Sequence, residues 1–248
     1  MTLSEAFVAA AGSVTGRDHR RAERDGQDGH AVVITADVLA VVVTDGCSSG
    51  RASEIGARIG AAWLAALIER HFRVTHVPER TDAAHAVAAV VEELLVRLEA
   101  LARSLDVGGD VKAARVDEAL LFGFLAVVVT PATTIVFGIG DGVVLADGKL
   151  TVLDPGPHNA PPYVAYGLLG SRIEPRVHFA CPTERLELVA IATDGLLPVG
   201  EVLADIAGDP RYAKNPSLLR KRLVVLSDAG AFSDDATVAV VRRRSALR

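Results

Sequence analysis

Residues 41–51 read VVVTDGCSSGR. An apolar run ends in Asp45-Gly46, passes through small residues, and leads into SGRASEIGARIGAAWLAALIERHF. There Ala57, Ala61, Leu64 and Ile68 recur at helical spacing, with Ser49 or Ser53 as N-cap. A carboxylate at the end of a buried strand, just before a helix, fits three chemistries. In the first, Gly46-Cys47-Ser48-Ser49-Gly50 is a nucleophile elbow with Ser48 as the nucleophile. That arrangement needs a His after the acid and strand–helix alternation, and the last histidine, His178, has no such surroundings. In the second, Cys47 is a phosphatase nucleophile, but the Arg needed six positions on is Ser53. An aspartyl nucleophile two residues before Asp45 fails likewise, because that position is Val43. The third chemistry is a metal site.

The rest of the chain favours the third. AIATDG places Asp194-Gly195 at the end of an apolar run, and FGIGDG does the same with Asp141-Gly142. AFSDDATVAVV sets Asp234 and Asp235 just before the last apolar run, and RDGQDGHAVV sets Asp28 before an early one. Gathered carboxylates repel and raise one another's pKa unless a cation holds them. Mg²⁺ and Mn²⁺ prefer such oxygen ligands. The glycine after each Asp permits close backbone approach. Any single Asp-Gly is more often a turn, and Asp147-Gly148 and Asp37 are read as turns.

Composition narrows the field. Of 248 residues, 50% are hydrophobic but only 4% aromatic, so Val, Leu and Ala must fill the core and stacking platforms for bases are scarce. A net charge of -5 also argues against nucleic acid. Cys47 and Cys181 are too few for a disulfide framework, and MTLSEAFVAAAGSV has no basic leader, so a cytoplasmic setting is expected. The window LLFGFLAVVVTPATTIVFGIG, 120–140, is long enough to span a bilayer, but Thr130-Pro131 breaks it into two strands.

HAVVITADVLAVVVT is read as the first two strands, broken near Asp37, and DAAHAVAAVVEELLVRLEALARSL as a second long helix. DVGGDVKAARVDEA, 106–119, is read as a polar link. LLFGFLAVVVT, TTIVFGIG, GVVLADG and KLTVLD follow as strands, then a Pro/Gly-rich loop over 154–172. LELVAIAT and ATVAVVRR are later strands, with short helices expected at 196–206 and 216–226. Strands do not alternate with helices, so the pattern suits α+β layers, helices over stacked antiparallel sheets, in one domain spanning 1–248. Trp63 is read as core, and His158 and His178 as surface residues of a loop and a strand edge.

From about Gly12 to Arg243 the chain resembles the metal-dependent serine/threonine protein phosphatases of type 2C. AVVVTDGCSSGRASEIGARIGA is similar to the family's strand, Asp-Gly, loop and helix. FGIGDGVVLADGKL resembles its Gly-Asp-Ser hairpin, with Gly142 for Ser, and LVAIATDGLLPV its Ser-Asp-Gly motif, with Thr193 for Ser. DDATVAVV resembles Asp-Asn-x-Thr, with Asp235 for Asn. GSVTGRDHRRAERDGQDG resembles the entry segment of a bacterial subgroup in which Gln-Asp replaces Glu-Asp.

The resemblance implies a four-layer α-β-β-α sandwich and hydrolysis of phosphoserine and phosphothreonine in proteins by a water activated between two metals. Asp45, Asp194 and Asp234 would be the catalytic carboxylates. Asp45 would bridge both ions, the Gly46 carbonyl would bind one, and Asp194 and Asp234 would hold the other. Asp141 matches a position that serves a third ion. Gln27 stands where most members have a metal-contacting Glu and, with the adjacent Asp28 that would compensate for its neutral amide, is counted among the metal-site residues. The family's phosphate-binding Arg is replaced by Glu23, leaving His19, Arg20 and Arg24 as candidates for phosphate. The implied cofactors are two or three Mn²⁺ or Mg²⁺ ions. The implied partners are phosphorylated proteins and a serine/threonine kinase, with no nucleic acid and no membrane. Gln27 and the missing Arg motivate an alternative, a catalytically weak relative that binds phosphoproteins or a signalling partner as a regulator.

Overall fold

Each residue of the VLAVVV run has a destination set by the two-residue repeat of a strand. A computed structural model describes residues 2–74, 80–105, 112–156 and 160–244. In strand β3 (Leu39–Gly46), together with Val38 just before it, Val38, Ala40 and Val42 enter one apolar cluster while Leu39, Val41 and Val43 enter another. Successive side chains point to opposite faces, so a strand buried on both sides must be apolar at every position. The first cluster is closed by helices α3 (Ser53–Val74) and α4 (Arg80–Leu105), through Ala57, Ala61, Leu64 and Ile68 and through Val87, Leu94 and Leu98. Trp63 is partly buried against the same cluster.

Strands β2 (Gly29–Ile34), β3, β4 (Phe122–Val129), β5 (Thr133–Ile139) and β8 (Arg176–Pro182) form one sheet in the order β2-β3-β4-β5-β8. Strands β1 (Phe7–Val14), β10 (Ala236–Arg243), β9 (Leu188–Ala192), β6 (Gly142–Ala146) and β7 (Lys149–Leu153) form the other, in the order β1-β10-β9-β6-β7. Every pairing is antiparallel. The space between the sheets is filled by Leu125, Val127, Val144, Val189, Ile191 and Val241, among others. The outer face of the second sheet is covered by α6 (Val202–Gly208) and α7 (Leu218–Asp228) through Leu203, Ile206, Leu219 and Leu223. The result is the four-layer α-β-β-α sandwich that the sequence implied.

The register brings the acidic segments to one end. Gly29 pairs with Thr44, Asp45 with Gly123 and Phe124 with Ile139. The start of β2 and the ends of β3 and β5 therefore lie together. In the other sheet Val14 pairs with Ala236, and Ala192 pairs with both Val238 and Val143. The end of β9 thus lies beside the starts of β10 and β6. Asp28, Asp45, Asp141, Asp194 and Asp234 each occupy one of these strand ends.

Several elements differ from the sequence reading. Phe7–Val14 is a strand that was not expected, and Arg176–Pro182 is a full strand where only a strand-edge place for His178 was expected. The link expected over 106–119 is helical from Lys112 to Ala119 (α5), where Val116 and Ala119 are buried. Residues 106–111, His158 and the tail from residue 245 lie outside the described residues. His178, on β8, is half-buried and lines a groove of about 600 Å³ with Gly140, Tyr166 and Arg176. The window 120–140 is the antiparallel pair β4–β5, and Asp147 (φ 50°) with Gly148 (φ 72°) makes the left-handed turn between β6 and β7. Among the described residues no helix is long and apolar enough to cross a membrane.

Candidate functional site

The entry segment is tied across the whole length of the chain to the start of β10. Helix α2 (Arg17–Arg21) docks through the Arg17 amide on the Phe232 carbonyl (3.2 Å) and the Asp18 amide on that of Ser233 (3.0 Å). The Gly16 amide donates to Asp235 Oδ1 (2.7 Å) and the Gln27 amide to Asp235 Oδ2. Asp235 is almost fully buried, so its carboxylate knots both ends of this loop to one strand. Glycine is required where the backbones meet. A Cβ on Gly195 would lie 1.8 Å from the Asp235 carbonyl oxygen, and one on Gly16 would lie 2.2 Å from the Asp234 carbonyl carbon.

Around this knot the acids gather. Asp28 is buried and accepts a hydrogen bond from Thr193 Oγ1 (2.8 Å), which itself accepts one from the Thr237 amide (3.0 Å). Burial holds the Asp28 carboxyl well above the usual carboxylate range, and the charge of Asp235 adds to this. Burial does the same to Asp45, reinforced by Asp28 and by Asp194, whose carboxyl is within hydrogen-bonding reach. Asp141 is pushed up to about 6, first by burial and then by Asp194, and burial also raises Asp234. Among the described residues no Lys or Arg forms an ion pair with Asp28, Asp45, Asp141 or Asp194. Buried anions without counter-charge are costly, and either protonation or bound cations remove that cost. The donor set fits hard divalent ions.

The loop after Asp45 is built to present Gly46. A Cβ there would sit 2.5 Å from the Gln27 carbonyl oxygen. Ser53 Oγ donates to the Cys47 carbonyl (2.9 Å), and the Cys47 amide donates to that of Leu121 (3.0 Å). Gln27 is buried; its Nε2 donates to the Gly50 carbonyl (3.0 Å), while its Oε1 is buried with no partner. Arg24 spends its guanidinium on the carbonyls of Gly50 (2.5 Å) and Ser48 (3.4 Å), which shapes this loop. Arg20 is exposed, and its guanidinium has no hydrogen bond or ion pair among the described residues. His19 turns inward, with Nδ1 at 3.0 Å from Asp235 Oδ2 and 3.8 Å from Asp234 Oδ1. Cys47 lies beside Ser49 Oγ (3.0 Å) and accompanies Tyr163 and Tyr166, whose rings meet edge-on at 5.6 Å.

Two participants were not among the sequence candidates. Asp235 was noted beside Asp234 before the last apolar run and as a replacement for Asn, but was given no role of its own, although two adjacent Asp residues before a buried strand were a signal that one would be internal. Tyr163 comes from the Pro/Gly-rich loop. Burial raises its hydroxyl pKa, and nearby Cys47 and Asp45 add to the effect. No sequence pattern marked it.

The raised acids set a pH dependence. A carboxyl whose folded pKa exceeds its unfolded value binds more protons when folded, so it withdraws stability as pH rises between those values. For Asp141 the window runs from the ordinary value of 3.8 to about 6. In metal-free protein, Asp141→Asn is expected to stabilise by about 1–2 kcal/mol above pH 6.5, after allowing for solvent screening, and by nothing near pH 3.5. Thermal melts of both proteins across that range check it. A difference independent of pH would contradict the assignment.

The profile of the family described as Protein phosphatase 2C matches residues 15–231. No curated protein matches the chain. Among solved structures, the catalytic domain of the serine/threonine protein phosphatase PstP in complex with two manganese ions aligns at 19% identity and TM-score 0.59, covering 96% of this chain and 98% of that one. The Mycobacterium tuberculosis serine/threonine phosphatase PstP/Ppp gives 18% and 0.61, with the same coverage. Stp1 of Staphylococcus aureus, also a serine/threonine phosphatase, gives 13% and 0.59, covering 98% and 97%. At these identities the structural likeness concerns the fold.

Proposed function

Because the chain belongs to the protein phosphatase 2C family, we propose that it is a hydrolase of phosphoserine and phosphothreonine in proteins, working as one domain with two divalent cations, Mn²⁺ or Mg²⁺. The observation that carries this reading is the convergence of Asp28, Asp45, Asp141, Asp194 and Asp234 from remote segments on one end of the sandwich, with the charges of Asp28, Asp45, Asp141 and Asp234 held off by burial. The manganese complex of the similar PstP domain supports the choice of metal.

Asp45, Asp194 and Asp234 would hold the ions, with the Gly46 carbonyl as a further oxygen and Asp141 at the side serving a third. When bound, such ions neutralise phosphoryl oxygens and lower the pKa of a water between them. The chain's own residues do the rest. Thr193 holds Asp28 in place, and Asp235 holds the entry loop against β10. Gln27 and Arg24 brace the 48–50 turn so that Gly46 stays at the end of β3. Ser48 and Cys47 need supply no covalent nucleophile.

Neutral Gln27 and the engagement of Arg24 with carbonyls favour a second reading, a phosphoprotein-binding regulator of low activity. Hydrolysis of p-nitrophenyl phosphate separates the two. The enzyme reading expects turnover with saturating Mn²⁺ that falls to background with excess chelator and returns on adding Mn²⁺. Folded protein that binds Mn²⁺ without turnover would sink the enzyme and leave the regulator.

A further inference from the structure

One ring nitrogen at the site is buried among carboxylates without a formed hydrogen bond. His19 Nδ1 is buried and makes no hydrogen bond, although it lies 3.0 Å from Asp235 Oδ2 and 3.8 Å from Asp234 Oδ1. The short distance to Asp235 is therefore a misaligned approach, not a formed bond. Asp235 already accepts the Gly16 and Gln27 amides. Among the described residues, His19, Asp234 and Asp235 are the group that offers one ligand atom each with all three within 4.8 Å of one another. Asp45, Asp194 and Asp234 do not form such a trio by themselves.

The position of His19 is built, not incidental. Three backbone amides fasten the start of α2 to residues 232–235: Arg17 to the Phe232 carbonyl, Asp18 to the Ser233 carbonyl and Gly16 to the Asp235 carboxylate. The Gly16 contact brings the chains so close that no side chain fits between them. These ties set the imidazole over the two carboxylates before any ligand arrives. As a metal ligand Nδ1 would offer its lone pair, with the ring proton on Nε2.

Resting on the metal-dependent reading above, we propose that His19 Nδ1 is a nitrogen ligand to a cation shared with Asp234 and Asp235. That makes the edge of the centre a mixed nitrogen–oxygen position that selects Mn²⁺ and other first-row transition ions over Mg²⁺. Imidazole suits transition ions, whereas Mg²⁺ demands oxygen ligands in tight octahedral geometry. His19 is thus a metal ligand and not a phosphate contact.

The test is pulsed electron paramagnetic resonance of the full chain loaded with Mn²⁺, with binding followed separately by calorimetry. Protein of natural isotope content is expected to show nitrogen-14 modulation on the Mn²⁺ signal. Labelling histidine with nitrogen-15 is expected to replace that modulation with the nitrogen-15 pattern, without altering the fold. His19→Ala is expected to abolish it and to lower the preference for Mn²⁺ over Mg²⁺ at least about tenfold, a size that loss of mere supporting contacts around a metal already reaches. Bound Mn²⁺ with no histidine nitrogen signal, or a signal that survives His19→Ala, overturns the ligand and leaves the phosphatase reading standing. Native protein that binds Mg²⁺ but no Mn²⁺ overturns the ligand alone, and native protein that binds neither overturns both.

Discussion

Asp194→Asn is expected to lower Mn²⁺-dependent turnover by at least about 10³-fold, because losing one charged ligand of a two-metal centre removes about 4 kcal/mol of transition-state stabilisation. The same change is expected to raise the melting temperature of metal-free protein at neutral pH. The Asp194 charge is one of the reasons that Asp45 and Asp141 are held above the ordinary carboxylate range, and its removal relieves both. Side-by-side kinetics and thermal melts read the two effects, and their opposite signs separate a lost ligand from a damaged fold. Retention of activity within tenfold of the native protein would remove Asp194 from the centre.

The second large effect is structural. Asp235→Ala leaves the Gly16 and Gln27 amides without their acceptor in a buried setting. Each unpaired buried donor costs about 1–3 kcal/mol, so the expected loss for the two is about 2–6 kcal/mol. For a chain of this size that lowers the melting temperature on the order of 10 °C. Relief of Asp28, which Asp235 also pushes up, offsets part of it. Hydrogen exchange adds the location: protection is expected to fall at residues 16–27 and at the start of β10 before it falls at β3. Asp235→Asn keeps one acceptor oxygen for two donors and should fall between native and Ala. Uniform loss of protection, or a change under about 0.5 kcal/mol, would contradict the role of a knot.

How far these sites could be read in advance differs from segment to segment. β3 and α3 were legible because their burial is one-dimensional: a doubly buried strand must be apolar throughout, and a covering helix must repeat its small and apolar residues at helical spacing. The Asp-Gly pairs at strand ends were legible for a related reason, since carboxylate followed by glycine marks where a chain leaves a sheet. β1 was not legible. Its FVAAAGSV is rich in Ala and carries Gly12, which disfavour strands, and it exists because eight residues pair with β10. β8 carries mixed polar and apolar residues at an open edge and owes its form to β5. α5 is short, and its single fully buried valine, Val116, meets partners from α4 and the 164–169 turn.

The order of apolar runs therefore determined by itself the layers, the strands at their centre and the identity of the acids at their ends. Which of those acids face one another was decided only by tertiary structure. Antiparallel register, a long-range property with no local signature, sets five remote carboxylates at one end of the sandwich. The inward turn of His19 and the capture of Arg24 by backbone carbonyls have the same origin. A side chain's partner depends on which distant backbone arrives beside it, and Gly16 and Asp235, bonded here, lie 219 positions apart in the chain.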